Sequence, residues 1–172
     1  MGKVETDHVD RLRAQWRAAR PDLDTSPVEI FGRIHRLSRL IAPGIEAALA
    51  RHGLDRGEFD VLATLRRHGP PFRLTPTDLY AALLVASGSL THRLGRLERA
   101  GFVRRVPDEH DGRVLAAELT EIGRRAVEAA YRDDLEFEAR LLEGFGAKSR
   151  TELAEGLRAL MKAVEAALEL KR

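Results

Sequence analysis

The stretch from residue 74 to residue 120 constrains the fold most, because it encodes two short capped helices followed by a β-hairpin. The first helix begins at Thr75, with Pro76 at a position where a missing N–H leaves no hydrogen bond unmade. Asp78 lies three residues after Thr75, the spacing of a capping box, in which each side chain accepts a hydrogen bond from the backbone N–H of the other residue. A second cap at Ser87 opens the next helix. This arrangement predicts a helix-turn-helix.

The second helix has one apolar face and one polar, cationic face. Leu90, Leu94 and Leu97 recur at helical spacing and are expected to be buried. Side chains on the opposite face can donate hydrogen bonds to base edges and phosphates when the helix lies in the major groove. The predicted DNA contacts are Ser87, Ser89, Thr91, His92, Arg93 and Arg96 of this helix, together with Thr75 at the start of the first.

Two β-prone runs, 102–106 and 113–119, flank a turn-rich segment and predict a hairpin, the wing. Asp111 lies two residues before Arg113 and is expected to hold that arginine in one rotamer. An arginine held in this way fits a narrow, electronegative minor groove, so both residues are predicted to act in DNA binding. The predicted fold class is mainly α with a small β wing, a winged helix-turn-helix.

The placement of charge favours DNA binding over a purely structural motif. Residues 66–105 contain eight arginines and two carboxylates, an excess of +6, whereas residues 118–143 contain four arginines and eight carboxylates, a deficit of −4. The net charge of +2 conceals this asymmetry. Arginines on a helix are often only a solvated face, so a winged-helix adaptor that binds proteins and no DNA is the alternative.

These residues at these spacings resemble the MarR family of bacterial transcription regulators over nearly the whole chain. The matching positions are Ser87, Gly88, Thr91 and Leu94 in the recognition helix, then Leu97, Glu98, Gly101, Phe102, Val103 and Arg105, then Asp111, Gly112 and Arg113 in the wing, and Leu119, Thr120 and Gly123 after it. The resemblance implies a DNA-binding regulator, commonly a repressor. Gly112 stands where the family often has a second basic residue, so a weaker wing contribution is expected.

Length and composition agree with a protein of this class. The 172 residues fit one domain, or one core plus dimerisation elements. No segment approaches eighteen uncharged apolar residues, and no signal-peptide pattern follows Met1, so we expect a cytoplasmic protein with no membrane partner. The chain has no cysteine and cannot sense oxidants through a thiol, as some members of the family do. A small molecule is the expected signal.

The sequence predicts no catalytic residue, no metal site and no cofactor. The six histidines show no ligand-pair spacing, and a structural zinc site without cysteine is not expected. No phosphate-cradling loop is present, and the Ser87–Ser89 segment lacks the glycine frame of a nucleophile elbow.

Amphipathic helices on both sides of the winged unit predict a homodimer. A helix from Val28 that Pro43 kinks or interrupts, a long helix from Thr120, and a last helix capped by Ser149 carry more apolar face than a winged helix covers. An antiparallel bundle with a second copy is expected, and a monomer with a folded terminal hairpin is the alternative. A dimer implies a palindromic operator with half-sites roughly 10 base pairs apart. The expected divisions are 1–26, an added N-terminal helix and linker; 27–54, an N-terminal dimerisation helix; 55–120, the DNA-binding domain; and 121–172, the C-terminal dimerisation helices.

The segment before Val28 narrows the resemblance to the urate-responsive branch, in which four residues are linked to ligand response. The positions that match are Trp16, Asp60, Arg93 and Arg105. A planar anion such as urate can stack on Trp16, pair with Arg105 and donate an N–H to Asp60, so an Asp60–Arg105 ion pair is expected before the ligand arrives. The ligand would then shift the population away from the DNA-binding conformation. The alternatives are core packing for Trp16, a structural salt bridge for Asp60 and Arg105, and another phenolic or purine-like ligand.

Overall fold

The computed structural model describes residues 6–83, 87–108 and 111–168, and only the backbone of residues 87–89. Within these ranges the protein consists of α-helices and one small antiparallel sheet. The helices are α1 (His8–Ala19), α2 (Val28–Ala50), α3 (Arg56–His68), α4 (Pro76–Leu83), α5 (Ser87–Arg99), α6 (Glu121–Leu141) and α7 (Ala147–Ala167), and the strands are β1 (Arg73–Leu74), β2 (Val103–Pro107) and β3 (Leu115–Leu119). The predicted winged helix-turn-helix, mainly α with a β wing, is confirmed.

The core lies where α3, α4 and α5 meet the sheet. Leu90, Leu94 and Leu97, the predicted buried stripe of α5, are each at most 1% exposed. They join Leu62 and Leu65 of α3 in one apolar cluster. Burial of a leucine side chain stabilises a fold by about 1.5–3 kcal/mol, so this stripe fixes which face of α5 points outward.

The sheet has a strand that the sequence did not predict. The strand order is β1-β3-β2, and β1 pairs with β3 through Arg73 opposite Glu118 and Leu74 opposite Ala117. Two residues are too few to produce an alternating pattern in the sequence. The added strand connects the wing to the turn before α4.

The end of the wing is joined to α6 by a side-chain cap. Thr120 Oγ1 accepts a hydrogen bond from the Gly123 N–H at 3.0 Å and donates one to the Gly101 carbonyl at 2.7 Å, as its predicted capping role requires. A Cβ at Gly123 would lie 2.1 Å from the Phe102 carbonyl oxygen. Glycine is therefore needed where α6 crosses the start of the wing.

Helix α2 runs from Val28 to Ala50 without a break at Pro43, so the interruption considered from the sequence is wrong. Packing against α6 supports the helix at this point. A Cβ at Gly44 would lie 2.0 Å from Phe137 Cζ, so the glycine allows the Phe137 ring of α6 to pack directly against α2.

Helix α1 lies against the first half of α2. Its capping box at Asp7 is formed, and Val9 is buried at the contact. The Arg33 guanidinium of α2 donates to the carboxylates of Asp7 and Asp10, each at 2.8 Å. Ion pairs as well as apolar contact therefore hold the added helix.

Helix α7 begins at Ala147, with Gly146 at the cap position and no side-chain cap, so the predicted cap at Ser149 is wrong. Arg150 instead donates to the carbonyls of Leu142 and Phe145 at the end of α6. None of the described residues of α7 is buried. No helix in the described ranges is both long and apolar enough to cross a bilayer.

Candidate nucleic-acid interface

The outward face of α5 is opposite its leucine stripe. Thr91 and His92 are exposed there, as predicted. Arg99 is exposed on the same side, seven residues after His92, and was not among the predicted contacts. That spacing of two helical turns could have identified it. Ser87 and Ser89 lie in the first turn of α5, but their side chains, and the predicted cap at Ser87, are outside the described residues.

Two of the predicted DNA contacts of α5, Arg93 and Arg96, also reach the start of α3. Arg96 Nε lies 2.9 Å from Glu58 Oε1, and its Nη2 is paired with Asp55 Oδ2. The Arg93 guanidinium covers Gly57, where an added Cβ would lie 2.4 Å from Arg93 Cζ. Sequence spacing on α5 alone could not show these contacts, because the partners are more than thirty residues away along the chain.

The start of α4 has the predicted cap geometry. Thr75 Oγ1 donates to Asp78 Oδ2 at 2.7 Å and lies 3.2 Å from the Asp78 backbone N, which donates to it. Thr75 also lines an open groove of about 850 Å³ that includes Arg67, Arg73 and Asp108. The groove runs from the helix-turn-helix to the wing.

The tip of the wing is ordered by carboxylates that accept backbone hydrogen bonds. Asp111 Oδ1 accepts from the Arg113 N–H at 3.0 Å, and Asp108 Oδ1 accepts from the Asp111 N–H at 3.1 Å. The Asp111 carboxylate therefore holds the backbone of Arg113 and not its guanidinium, which corrects the predicted rotamer lock. The Arg113 side chain is exposed.

Glu118 on the middle strand joins both neighbouring strands. Its carboxylate accepts from Arg73 Nη2 at 2.6 Å and from Arg104 Nε at 2.7 Å, and the residue is only 6% exposed. Burial alone would raise the pKa of Glu118, but the hydrogen bonds from the two arginines outweigh it and lower the pKa.

Ion pairs reduce the cationic excess inferred from the sequence. Five of the eight arginines in residues 66–105 pair with carboxylates: Arg66, Arg73, Arg96, Arg104 and Arg105. Arg67, Arg93 and Arg99 form no such pair with a described residue. Within residues 66–113, the arginines that form no ion pair with a described residue therefore lie on α5, at the end of α3 and at the wing tip.

The four residues expected to respond to a ligand lie in separate places. Asp60 lines a cavity of about 230 Å³ with Phe59, Ala63, Arg66, Arg67, Leu83, Val127, Glu128 and Tyr131. Trp16 is 52% exposed on α1, so it is not packed in the core of this chain. Arg93 covers the start of α3, and Arg105 Nε lies 3.7 Å from Glu98 Oε2. The expected Asp60–Arg105 ion pair is therefore wrong.

An exposed polar face on α5, a capped preceding helix and a β-hairpin with an arginine at its tip define a winged helix-turn-helix protein. Residues 52–114 match the sequence profile of the MarR family. The HTH-type transcriptional regulator PecS of Dickeya dadantii is 38% identical over 157 residues, which cover 91% of this chain and 92% of PecS. This chain belongs to the MarR family of DNA-binding transcriptional regulators, which are not enzymes.

Solved structures agree with this assignment. AbsC, a MarR family transcriptional regulator from Streptomyces coelicolor, superposes with a TM-score of 0.70 at 25% identity, covering 84% of this chain and 98% of AbsC. A mutant of MarR from E. coli complexed with operator DNA superposes with a TM-score of 0.67 at 26% identity, covering 80% of this chain and 99% of that one. The winged unit and the helices around it are thus shared with these proteins.

Proposed function

We propose that this protein is a homodimeric repressor that binds a palindromic operator and is released from it by a small aromatic anion such as urate. The observation that carries the DNA-binding part is the exposed face of α5 with the arginine-tipped wing beside it. Thr91, His92 and Arg99 offer hydrogen-bond donors on one face, of the kind that read base edges in the major groove.

Further DNA contacts are proposed around this helix. The start of α4 and the first turn of α5 bring hydroxyl and backbone N–H groups to the phosphates, and Arg113 enters the minor groove. Asp111 contributes by ordering the backbone at the wing tip. The proposed set is Thr75, Ser87, Ser89, Thr91, His92, Arg93, Arg99 and Arg113.

The proposal of a homodimer is supported by apolar side chains that one chain leaves exposed. Leu153, Leu157 and Met161 of α7 are between 41% and 58% exposed, and α7 buries no described residue. A second copy that covers this face by two-fold symmetry would place two α5 helices roughly 10 base pairs apart. The helices in 27–54 and 121–172 would then dimerise, and 55–120 would bind DNA.

The cavity beside Asp60 is the site that we propose for the anion. Phe59 and Tyr131 offer aromatic faces, Arg67, which forms no ion pair with a described residue, offers positive charge, and Asp60 accepts an N–H. Helix α3 carries both Asp60 and Gly57, and Arg93 of α5 rests on Gly57. A ligand that moves α3 would therefore move the recognition helix. The presence of Trp16, Asp60, Arg93 and Arg105 at positions resembling the urate-responsive branch supports urate as the first candidate.

Electrophoretic mobility shift tests the proposal. The labelled duplex is the DNA upstream of the protein's own gene, and urate is titrated into the complex up to millimolar concentration. Sequence-selective, salt-sensitive retardation that urate reverses is the expected result. Retardation that urate leaves unchanged removes urate as the ligand. Absence of sequence-selective, salt-sensitive retardation would contradict operator binding and favour the protein-binding adaptor.

A further inference from the structure

We infer that Asp55 and Glu58, at the start of α3, are positioning residues for DNA recognition, because through Arg96 they fix where the recognition helix lies. The inference rests on the proposed role of α5 as the helix that reads DNA. The two carboxylates are not expected to bind DNA themselves, since carboxylates repel phosphates.

Each carboxylate divides its two oxygens between α3 and α5. Asp55 Oδ1 accepts from the Glu58 N–H at 2.8 Å, and Glu58 Oε2 accepts from the Asp55 N–H at 2.9 Å, which completes the capping box of α3. The remaining oxygens, Asp55 Oδ2 and Glu58 Oε1, both face Arg96. The cap uses only one oxygen of each side chain, so the other oxygen of each is available to bind Arg96 of α5.

The contact with Glu58 is largely withdrawn from solvent. Glu58 is only 9% exposed, and Arg96 Nε is buried. The Nε–H has no aligned hydrogen-bond acceptor, so its attraction to Glu58 at 2.9 Å is an ion pair. A buried charge that loses its partner is strongly unfavourable, and the side chain of Glu58 is only 12% exposed, so loss of Arg96 would leave this carboxylate buried without its ion pair.

A second arginine of α5 supports the same docking. Arg93 lies one turn before Arg96, and its guanidinium covers Gly57 in the first turn of α3. The leucine stripe sets the rotation of α5, but apolar contact is not directional. Arg96 donates a directional hydrogen bond to Asp55, and Arg93 packs on Gly57, so the two arginines set the position of α5 relative to α3 and with it the reach of Thr91 and His92 to the bases.

The direction in which one substitution changes DNA affinity distinguishes this positioning role from simple electrostatic repulsion. If Glu58 only repelled DNA, Glu58→Gln would tighten binding. If Glu58 positions α5, the same change weakens binding to the specific duplex although the protein becomes more positive. A glutamine can still accept the capping hydrogen bond, so α3 keeps its N-terminal cap.

The experiment measures affinity for a duplex that the wild-type protein selects from a random pool and for a scrambled duplex of equal length. Glu58→Gln is expected to weaken binding to the selected duplex about tenfold and to leave binding to the scrambled duplex equal or tighter. Asp55→Ser, which keeps a good helix cap, is expected to act in the same direction. Glu121→Gln is the control, because the described partners of Glu121 are arginines of its own helix.

A double-mutant cycle completes the test. Arg96→Ala is expected to weaken specific binding, Arg96→Lys to restore part of it, and Glu58→Gln to add nothing in the Arg96→Ala background. Additive effects, or tighter specific binding by Glu58→Gln, would overturn the inference and make Arg96 a direct phosphate contact. A wild-type protein that selects no duplex would contradict the proposed function instead, so the two failures are distinguishable.

Discussion

Arg105 Nε lies 3.7 Å from Glu98 Oε2, so the base of the wing is tied to the last turn of the recognition helix. Arg105 belongs to β2 and Glu98 to α5, and the side chain of Arg105 is 22% exposed. The Arg105–Glu98 pair is thus a direct connection between the wing and the helix that we propose reads DNA.

Glu98→Gln is expected to make urate a more effective inducer. Without the Arg105–Glu98 ion pair the recognition helix is less firmly tied to the wing and moves more easily with α3, so the urate concentration that releases half of the operator should fall about three- to tenfold. Arg105→Ala removes the same ion pair and should lower that concentration by a similar factor. Fluorescence anisotropy of labelled operator during urate titration measures both. An unchanged urate response in both variants would show that Arg105 takes no part in induction.

Asp60→Asn is expected to impair the urate response and to leave operator binding in the absence of urate intact. Asp60 lines the cavity proposed for the anion, and an amide is a weaker acceptor for a ring N–H than a carboxylate is. Calorimetric titration of urate should show weaker binding, with a dissociation constant about tenfold larger than that of the wild type. Glu136→Gln, an exposed carboxylate on α6, is the control. Equal affinities of Asp60→Asn and wild type would place the ligand elsewhere.

Glu118→Gln is expected to destabilise the fold near neutral pH by about 1–3 kcal/mol, because two arginines lose a shared, buried charged acceptor. The pKa of Glu118 is lowered in the folded protein from a usual value of 4.5, so its stabilising effect is present above that value and is lost as the pH falls through the folded pKa.

Urea unfolding at a series of pH values measures this effect. The difference between wild type and Glu118→Gln should shrink as the solution is acidified below about pH 4, since the variant has nothing to protonate at this position. A difference that does not change with pH would mean that the charge of Glu118 is not what stabilises the sheet.

Leu157→Glu is expected to yield a monomer. Leu157 lies on the exposed apolar stripe of α7, and a charge there would be desolvated at an interface between two copies. Sedimentation should give twice the chain mass of 19.2 kDa for the wild type and about that mass for the variant. Ala159→Glu places the same charge on the opposite face of α7 and should remain dimeric. A wild-type protein that sediments as a monomer would contradict the dimer proposal.

The sequence predicted those elements whose signals are local. The caps at Thr75 and Thr120 and the leucine stripe of α5 lie within a few residues of the elements that they define, and all have the predicted role. The start of α7 was misplaced because Ser149 has the sequence pattern of a cap, whereas the chain already turns into the helix at Gly146.

The candidate site was less predictable, because side-chain partners are set by tertiary contact. Arg96 was assigned to DNA from its place on a polar helix face, yet its partners Asp55 and Glu58 are on another helix. Arg105 was predicted to pair with Asp60, but in the folded protein it pairs with Glu98. Charge counts along a chain do not reveal which arginines are already neutralised within the fold.

We propose that arginines of the recognition helix and the wing bind operator DNA together. The most direct measurement is operator affinity as a function of salt concentration for Arg93→Ala combined with Arg113→Ala, with Arg17→Ala and Arg20→Ala on or next to α1 as the control pair. We predict an affinity loss of about a hundredfold and a log–log salt slope reduced by about 1 to 2, with the control unchanged. Unaltered affinity and slope in the Arg93 and Arg113 variant would contradict the account.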